Sequence, residues 1–110
     1  MNQKIEAVHL MPWQPGWWFG CTLIQDFKVP HYWSFKKPQN LSINSILIFY
    51  SIDVAFLDSR NKILELKQDL KEWTLNYSPK QKYSKLLEMP FGSIVRLQLG
   101  VGQTIDLVNV

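Results

Sequence analysis

The most apolar stretch of the chain, ILIFYSIDVAFLD at residues 46–58, stands out from an otherwise mixed pattern of hydrophobic and polar positions. Ile, Val, Phe and Tyr dominate it, and these side chains pack well on a pleated sheet but lose rotamer freedom in a helix. The run is much shorter than the ~20 apolar residues that span a bilayer. It therefore predicts a buried strand, bent or bulged near Ser51–Asp53.

Shorter alternating segments, separated by turn residues, predict further strands on both sides of this run. The expected strands are residues 4–10 (which could lie at an edge), 31–35, 62–67, 82–89 and 104–110, with 46–67 forming a hairpin. Turns are expected at residues 36–40, 58–61, 90–92 and 100–102, a short helix or loop at 68–76, and a helical turn or strand at 93–99. The pattern predicts a mainly β protein, α+β only at the margin, with a barrel-like or sandwich sheet and one or two short helices.

The size and composition agree with a single globular domain over residues 1–110. The chain has 46% apolar and 19% charged residues, which excludes a disordered tail. Its formal charge of +3 is small, and no block of five or six like charges occurs. A polyelectrolyte arm for nucleic acid is therefore not expected.

Cys21 is the only cysteine, so neither an intrachain disulfide nor a zinc ribbon can form. The first 18 residues lack the uninterrupted apolar segment of a secretory signal. Together these features predict a cytoplasmic protein without a membrane span.

Four segments, taken in order and spacing, resemble the family known as domain of unknown function 192, in its short archaeal type without a signal. They are SINSILIFYSIDVAFLD (42–58), KILELKQDLKEW (62–73), YSPKQKYSKLLEMPFG (77–92) and LGVGQTIDL (99–107). The resemblance covers about residues 20–108 and leaves 1–19 as an N-terminal strand followed by a Trp- and Pro-rich cover. It implies a compact β-rich fold and no established reaction. The polar entrance to the main strand and the terminal Gly-Asp typical of that family are replaced here by Asn44–Leu47 and Gly102–Gln103.

Asp53 is the one acid inside the apolar run, where a carboxylate needs a partner. The favoured interpretation is structural, with backbone donors or a basic side chain satisfying the carboxylate. The other interpretation is an acid that faces a ligand, either in a binding module or in a hydrolase that uses Asp53.

Other catalytic chemistry has little support in the sequence. Cys21 and His31 could form a nucleophile and base, but a lone cysteine is more often a small buried hydrophobe. His9 and His31 are the only histidines, and no metal-ligand or phosphate-cradle motif is present. An enzyme is therefore disfavoured, and no cofactor is expected.

Aromatic and basic residues alternate in two places, which is the strongest functional signal. Residues 31–37 read HYWSFKK, and a second segment has Lys80, Lys82, Tyr83 and Lys85 after Tyr77. A third aromatic group lies in the Pro- and Gly-rich segment 13–19, which is either a lid over the core or a contact surface. Because HYWSF alternates, Tyr32 and Ser34 should face one side of a strand and the three other residues the opposite side.

These observations lead to one hypothesis with two alternatives. The leading one is a non-enzymatic module that binds an unknown small ligand or protein partner through an aromatic and basic surface. The candidate binding residues are Trp13, Trp17, Trp18, Trp33, Lys36, Lys37, Asp53 and Lys80. The first alternative is weak binding of single-stranded nucleic acid by ring stacking and backbone neutralisation. The second is the hydrolase that uses Asp53.

Overall fold

Six strands and one short helix make up the part of the protein that the computed structural model describes, which is residues 3–10, 29–43, 51–71 and 77–109. The elements in chain order are β1 (Gln3–Leu10), β2 (His31–Gln39), β3 (Ile52–Leu57), β4 (Ile63–Leu70), β5 (Tyr83–Pro90), α1 (Ser93–Arg96) and β6 (Ile105–Asn109). The predicted mainly β fold is therefore confirmed.

Strand β3 is the central feature of the sheet, and all six of its residues are buried. It pairs antiparallel with β4 on one side and with β5 on the other. The register shifts between Ile52 and Val54, which is the irregularity that the sequence predicts near Asp53. Residues 46–50 of the apolar run lie outside the described residues.

The sheet has the order β4-β3-β5-β2-β1-β6, and it curls until its two edge strands meet. Lys62 forms an antiparallel bridge with Thr104. The amide of Ile63 donates to the carbonyl of Gln103 at 2.8 Å, and the amide of Ile105 donates to the carbonyl of Asn61 at 3.0 Å. These bonds join the start of β4 to the start of β6, so the sheet encloses an interior.

Two hydrophobic clusters cover the two faces of this curled sheet. The interior cluster consists of Ile5, Ala7, Tyr32, Ala55, Leu57, Ile63, Leu87, Met89, Ile94, Leu99 and Ile105. The outer cluster consists of Trp33, Ile43, Ile52, Val54, Phe56, Leu70, Tyr83 and Leu86. Burial of both faces explains why β3 reads as a continuous apolar run rather than an alternating one.

Strand β2 shows the predicted alternation directly. Tyr32 belongs to the interior cluster, whereas Trp33 belongs to the outer one with Phe35 packed against it. The strand continues through Lys36, Lys37 and Pro38, which the composition had assigned to a turn. That prediction is wrong because the register between β2 and β5 shifts between Ser34 and Gln39, an irregularity that accommodates a proline within a strand.

Strand β1 is an interior strand of the sheet and not an edge strand. It runs parallel to β2 on one side and to β6 on the other. The local sequence of β1 does not reveal parallel partners that are distant in the chain. The sequence therefore allowed an edge position for this strand.

The outer cluster is covered by two segments that pair with each other through Ile43 and Tyr77. The phenol of Tyr77 donates to Oε2 of Glu65 on β4, and its ring stacks on Phe56 at 5.9 Å between centroids. The amide of Lys80 donates to the other carboxylate oxygen of Glu65 at 2.8 Å. Glu65, on the edge strand β4, thus binds the segment that contains Tyr77 and Lys80 to the sheet through two hydrogen bonds.

Asp53 forms hydrogen bonds on the opposite, interior side of β3. Its Oδ1 accepts the backbone N–H of Asp69 at 2.9 Å, and its Oδ2 accepts those of Gly92 at 3.1 Å and Ile94 at 2.9 Å. The last two lie at the start of α1, which has no side-chain cap of its own. The structural interpretation of Asp53, in which backbone donors satisfy it, is therefore the observed arrangement.

We predict that Asp53→Ala lowers the free energy of unfolding by about 3 kcal/mol, because three backbone donors lose a charged acceptor. Urea denaturation followed by circular dichroism measures this loss. The matched control is Asp106→Ala, which removes an exposed acid from β6 and should change stability by less than about 0.5 kcal/mol. Equal urea midpoints for the two variants would contradict the role assigned to Asp53.

Candidate functional site

One end of the sheet gathers most of the basic residues of the chain. Ser34, Lys85, Leu57 and Ile63 form one row across four adjacent strands, so the end of β2, the start of β5 and the β3–β4 turn lie together. Seven of the twelve Lys and Arg residues belong to these segments. We call this surface the basic end; its members are Lys36, Lys37, Arg60, Lys62, Lys80, Lys82 and Lys85.

Six of the seven side chains of the basic end are exposed. The exception is Lys85, which is half-buried and donates from Nζ to Oδ1 of Asn61 at 2.5 Å. Exposed ammonium groups keep their hydration and add no desolvation cost to folding. They are consequently available to an external anion.

Two of the acids near the basic end, Asp58 and Glu65, are occupied by internal hydrogen bonds; a third, Asp106, is exposed on the neighbouring start of β6. Asp58 Oδ1 accepts the backbone N–H groups of Arg60 at 2.8 Å and Lys62 at 2.9 Å, which closes the β3–β4 turn. Glu65 accepts from the phenol of Tyr77 and the amide of Lys80. Neither carboxylate forms an ion pair with a side chain of the basic end within the described residues.

An ion pair lies at the other end of the sheet. There Lys71 Nζ lies 2.5 Å from Oδ2 of Asp69, just beyond the end of β4. The hydrogen bond from this ammonium group lowers the pKa of Asp69, and a hydrogen bond from Ser51 and the Lys67 charge add to the shift, which burial partly offsets. Asp58 and Glu65 thus hold no basic side chain of the basic end in an ion pair, whereas Asp69 holds Lys71 at the opposite end.

The structure brings together three of the eight predicted binding residues. Lys36, Lys37 and Lys80 are all exposed members of the basic end. Trp33 is only 2% exposed and lies in the outer cluster, so its ring offers no surface contact. Asp53 is 1% exposed and lies toward the far end of β3. Trp13, Trp17 and Trp18 lie outside the described residues.

Four members of the basic end were not among the predicted binding residues: Arg60, Lys62, Lys82 and Lys85. They lie in turns and strand starts that are distant in sequence from Lys36. The hairpin and the 82–89 strand were both predicted, but only the pairing of β5 between β2 and β3 brings their basic residues to one end.

A second polar group is buried on the outer face of the sheet. His31 and Glu88 face each other across β2 and β5 and are 8% and 3% exposed. Burial lowers the pKa of His31, and a hydrogen bond to the Val29 backbone partly offsets this effect. Burial also raises the pKa of Tyr83 to about 12, and the charge of Glu88 adds to that shift.

Nothing among residues 3–10, 29–43, 51–71 and 77–109 forms a metal site, since no three His, Cys, Asp or Glu side chains converge there. The same residues contain no helix that is long and apolar enough to cross a membrane.

Comparison with known proteins places the chain among uncharacterised relatives. The family model of domain of unknown function 192 (DUF192), described as an uncharacterised ACR, matches residues 32–107. A UPF0127 protein of Thermococcus sibiricus is 37% identical over 67 residues, which cover 61% of this chain. The aligned part spans only 42% of that relative's length.

Two solved structures share the fold at low sequence identity. A protein of Sinorhizobium meliloti, described as a candidate transcription regulator, superposes with a TM-score of 0.79 at 13% identity, over 89% of this chain and 78% of that one. A protein of unknown function from Novosphingobium aromaticivorans gives 0.77 at 10% identity, over 89% and 71%. At such identities the likeness concerns the fold alone.

We predict that the melting temperature falls as the pH is lowered from about 7 to about 5, in part through His31. Its pKa is lower in the folded protein than the ordinary value of 6.5, so the unfolded chain binds the proton more readily. The stabilisation is therefore present above pH 6.5 and is lost as the pH falls toward the folded pKa.

Calorimetry of His31→Gln across this pH range measures the contribution of His31 to the melting temperature. The melting temperature of the variant should fall less than that of the unmodified protein. His9→Gln is the matched control because it removes the other histidine and keeps His31. An unchanged pH dependence in His31→Gln would refute the assignment.

Proposed function

Since the chain belongs to the DUF192 family, which is described as uncharacterised, we propose from its own geometry that it is a non-enzymatic module that binds an anionic partner through the basic end. The observation that carries this proposal is the gathering of six exposed basic side chains beside two acids that are already hydrogen-bonded. A cluster of one charge sign raises the local concentration of the opposite sign and accelerates encounter.

The proposal keeps the basic part of the surface predicted from the sequence. Lys36, Lys37 and Lys80 act as anion contacts, joined by Arg60 and the lysines of the neighbouring segments. The hydrogen bonds of Asp53 to three backbone amides support a structural role for it rather than a hydrolytic one. The single cysteine further favours a reducing compartment, so we place the interaction in the cytoplasm.

The test is isothermal titration of the full chain with inorganic polyphosphate at low salt. We expect binding that weakens as salt is added, because contacts between exposed charges are screened. The double variant Lys36→Ala/Lys37→Ala should bind about tenfold more weakly, since two exposed contacts contribute up to about 1 kcal/mol each.

The control is Lys4→Ala/Arg96→Ala, which removes the same charge from exposed positions on β1 and α1. It should bind like the unmodified protein. Equal weakening in both double variants would mean that net charge alone is responsible, and the proposed site would then be wrong. Absence of any binding at low salt would also refute the proposal.

A further inference from the structure

The basic end is wider than a single small anion. Its exposed charges extend from the end of β2, past β5 and β3, to the start of β4. Three strand spacings amount to about 14 Å, since neighbouring strands lie about 4.8 Å apart. One phosphate or carboxylate contacts at most a part of this surface, whereas a chain of phosphates can contact all of it.

The described aromatic rings near the basic end are packed against other side chains. Tyr77, which is half-buried, stacks on Phe56 and has the Nζ of Lys67 at 5.7 Å from its ring centroid. Among the described residues there, Tyr83 is 1% exposed and Trp33 is 2% exposed. Phe35 is partly buried against the outer cluster, and its ring lies edge-on to that of Tyr83 at 6.0 Å. Proteins that hold single strands stack successive bases on exposed rings. As far as residues 3–10, 29–43, 51–71 and 77–109 form it, this surface therefore matches a partner that presents phosphates and keeps its bases inside the helix.

Two other classes of partner fit the surface less well. Peripheral membrane proteins combine basic residues with apolar anchors, commonly aromatic ones. Near the basic end the described residues expose two separate aliphatic side chains, Leu41 after β2 and Val101 beside the start of β4, whereas the exposed ring, Phe91 at 63%, follows β5 at the opposite end of the sheet. Protein interfaces are depleted in lysine, and six of the seven residues of the basic end are lysines.

We propose that the basic end binds the phosphate backbone of double-stranded nucleic acid without reading its base sequence. The inference rests on the proposed function and specifies its partner. A duplex carries about one negative charge per 1.7 Å of its axis, so several lysines can each meet a phosphate at once. The flexible ammonium groups act as point charges, which position a protein on a duplex but do not select bases.

The experiment is fluorescence anisotropy of labelled DNA duplexes of about 24 base pairs in two unrelated sequences, and of one of their single strands, over about 50 to 200 mM salt. We expect the two duplexes to bind alike and the single strand to bind more weakly. The slope of log affinity against log salt should be about −4 or steeper, as four or more phosphate contacts require.

The variants identify the surface responsible. Lys36→Ala/Lys37→Ala should reduce the slope by about 2, because each lost phosphate contact removes about 0.9. Lys62→Ala/Lys82→Ala should do the same from neighbouring segments. It provides a second measurement if the substitutions within β2 disturb the strand. The control Lys4→Ala/Arg96→Ala should keep the full slope.

Each contrary outcome has a definite meaning. Equal or tighter binding of the single strand, or slopes unchanged in both basic-end variants, overturns the inference. Binding to vesicles of phosphatidylserine and phosphatidylcholine, with no binding to either duplex, assigns the surface to a membrane instead. If polyphosphate binds and the duplexes do not, the proposed function holds and only this inference falls.

Discussion

The carboxylate of Asp53 joins three parts of the fold, which are strands β3 and β4 and the start of α1. It accepts N–H groups from Asp69 on β4 and from Gly92 and Ile94 at the start of α1. A helix of four residues is too short to be stable alone, so its position depends on such external bonds. Once placed, α1 inserts Ile94 into the interior cluster. It also leads the chain toward Gly102, whose amide bonds to Ile63 and helps join the two edges of the sheet.

Closure of the sheet determines where charge can be placed. Because the interior cluster fills one face and the outer cluster the other, a charged side chain in the middle of the sheet would have to be desolvated. The ends of the strands and the turns between them remain in contact with water. Apart from the buried Asp53 and Glu88, most charged residues therefore lie toward the strand ends and turns, and the strand order decides which of them become neighbours. Lys36 and Lys62 are 26 positions apart in the sequence but lie at the same end of one sheet.

The parts of this fold that follow from the sequence are those determined by local chemistry. The β-branched residues of β3, the Asp58–Asn61 turn and the alternation of Tyr32 and Trp33 all have local physical causes. The partners of Asp53 do not, since they lie 16, 39 and 41 residues away in the chain. Pro38 indicates a turn by composition, and only the irregular pairing with β5 permits it in a strand. The basic end was predicted in part, from Lys36, Lys37 and Lys80, because its other members depend on the strand order.

The net charge of +3 is a poor guide to this surface for a physical reason. Asp58 and Glu65 lie near the basic end, but their oxygens accept hydrogen bonds from backbone amides and from Tyr77. At the opposite end, the carboxylate of Asp69 instead forms an ion pair with Lys71. An acid whose oxygens accept hydrogen bonds from backbone amides still counts in the net charge of the protein. It does not, however, hold a particular lysine in an ion pair. The electrostatic character of each end thus depends on which groups the acids bind, and this follows from the fold rather than from the composition.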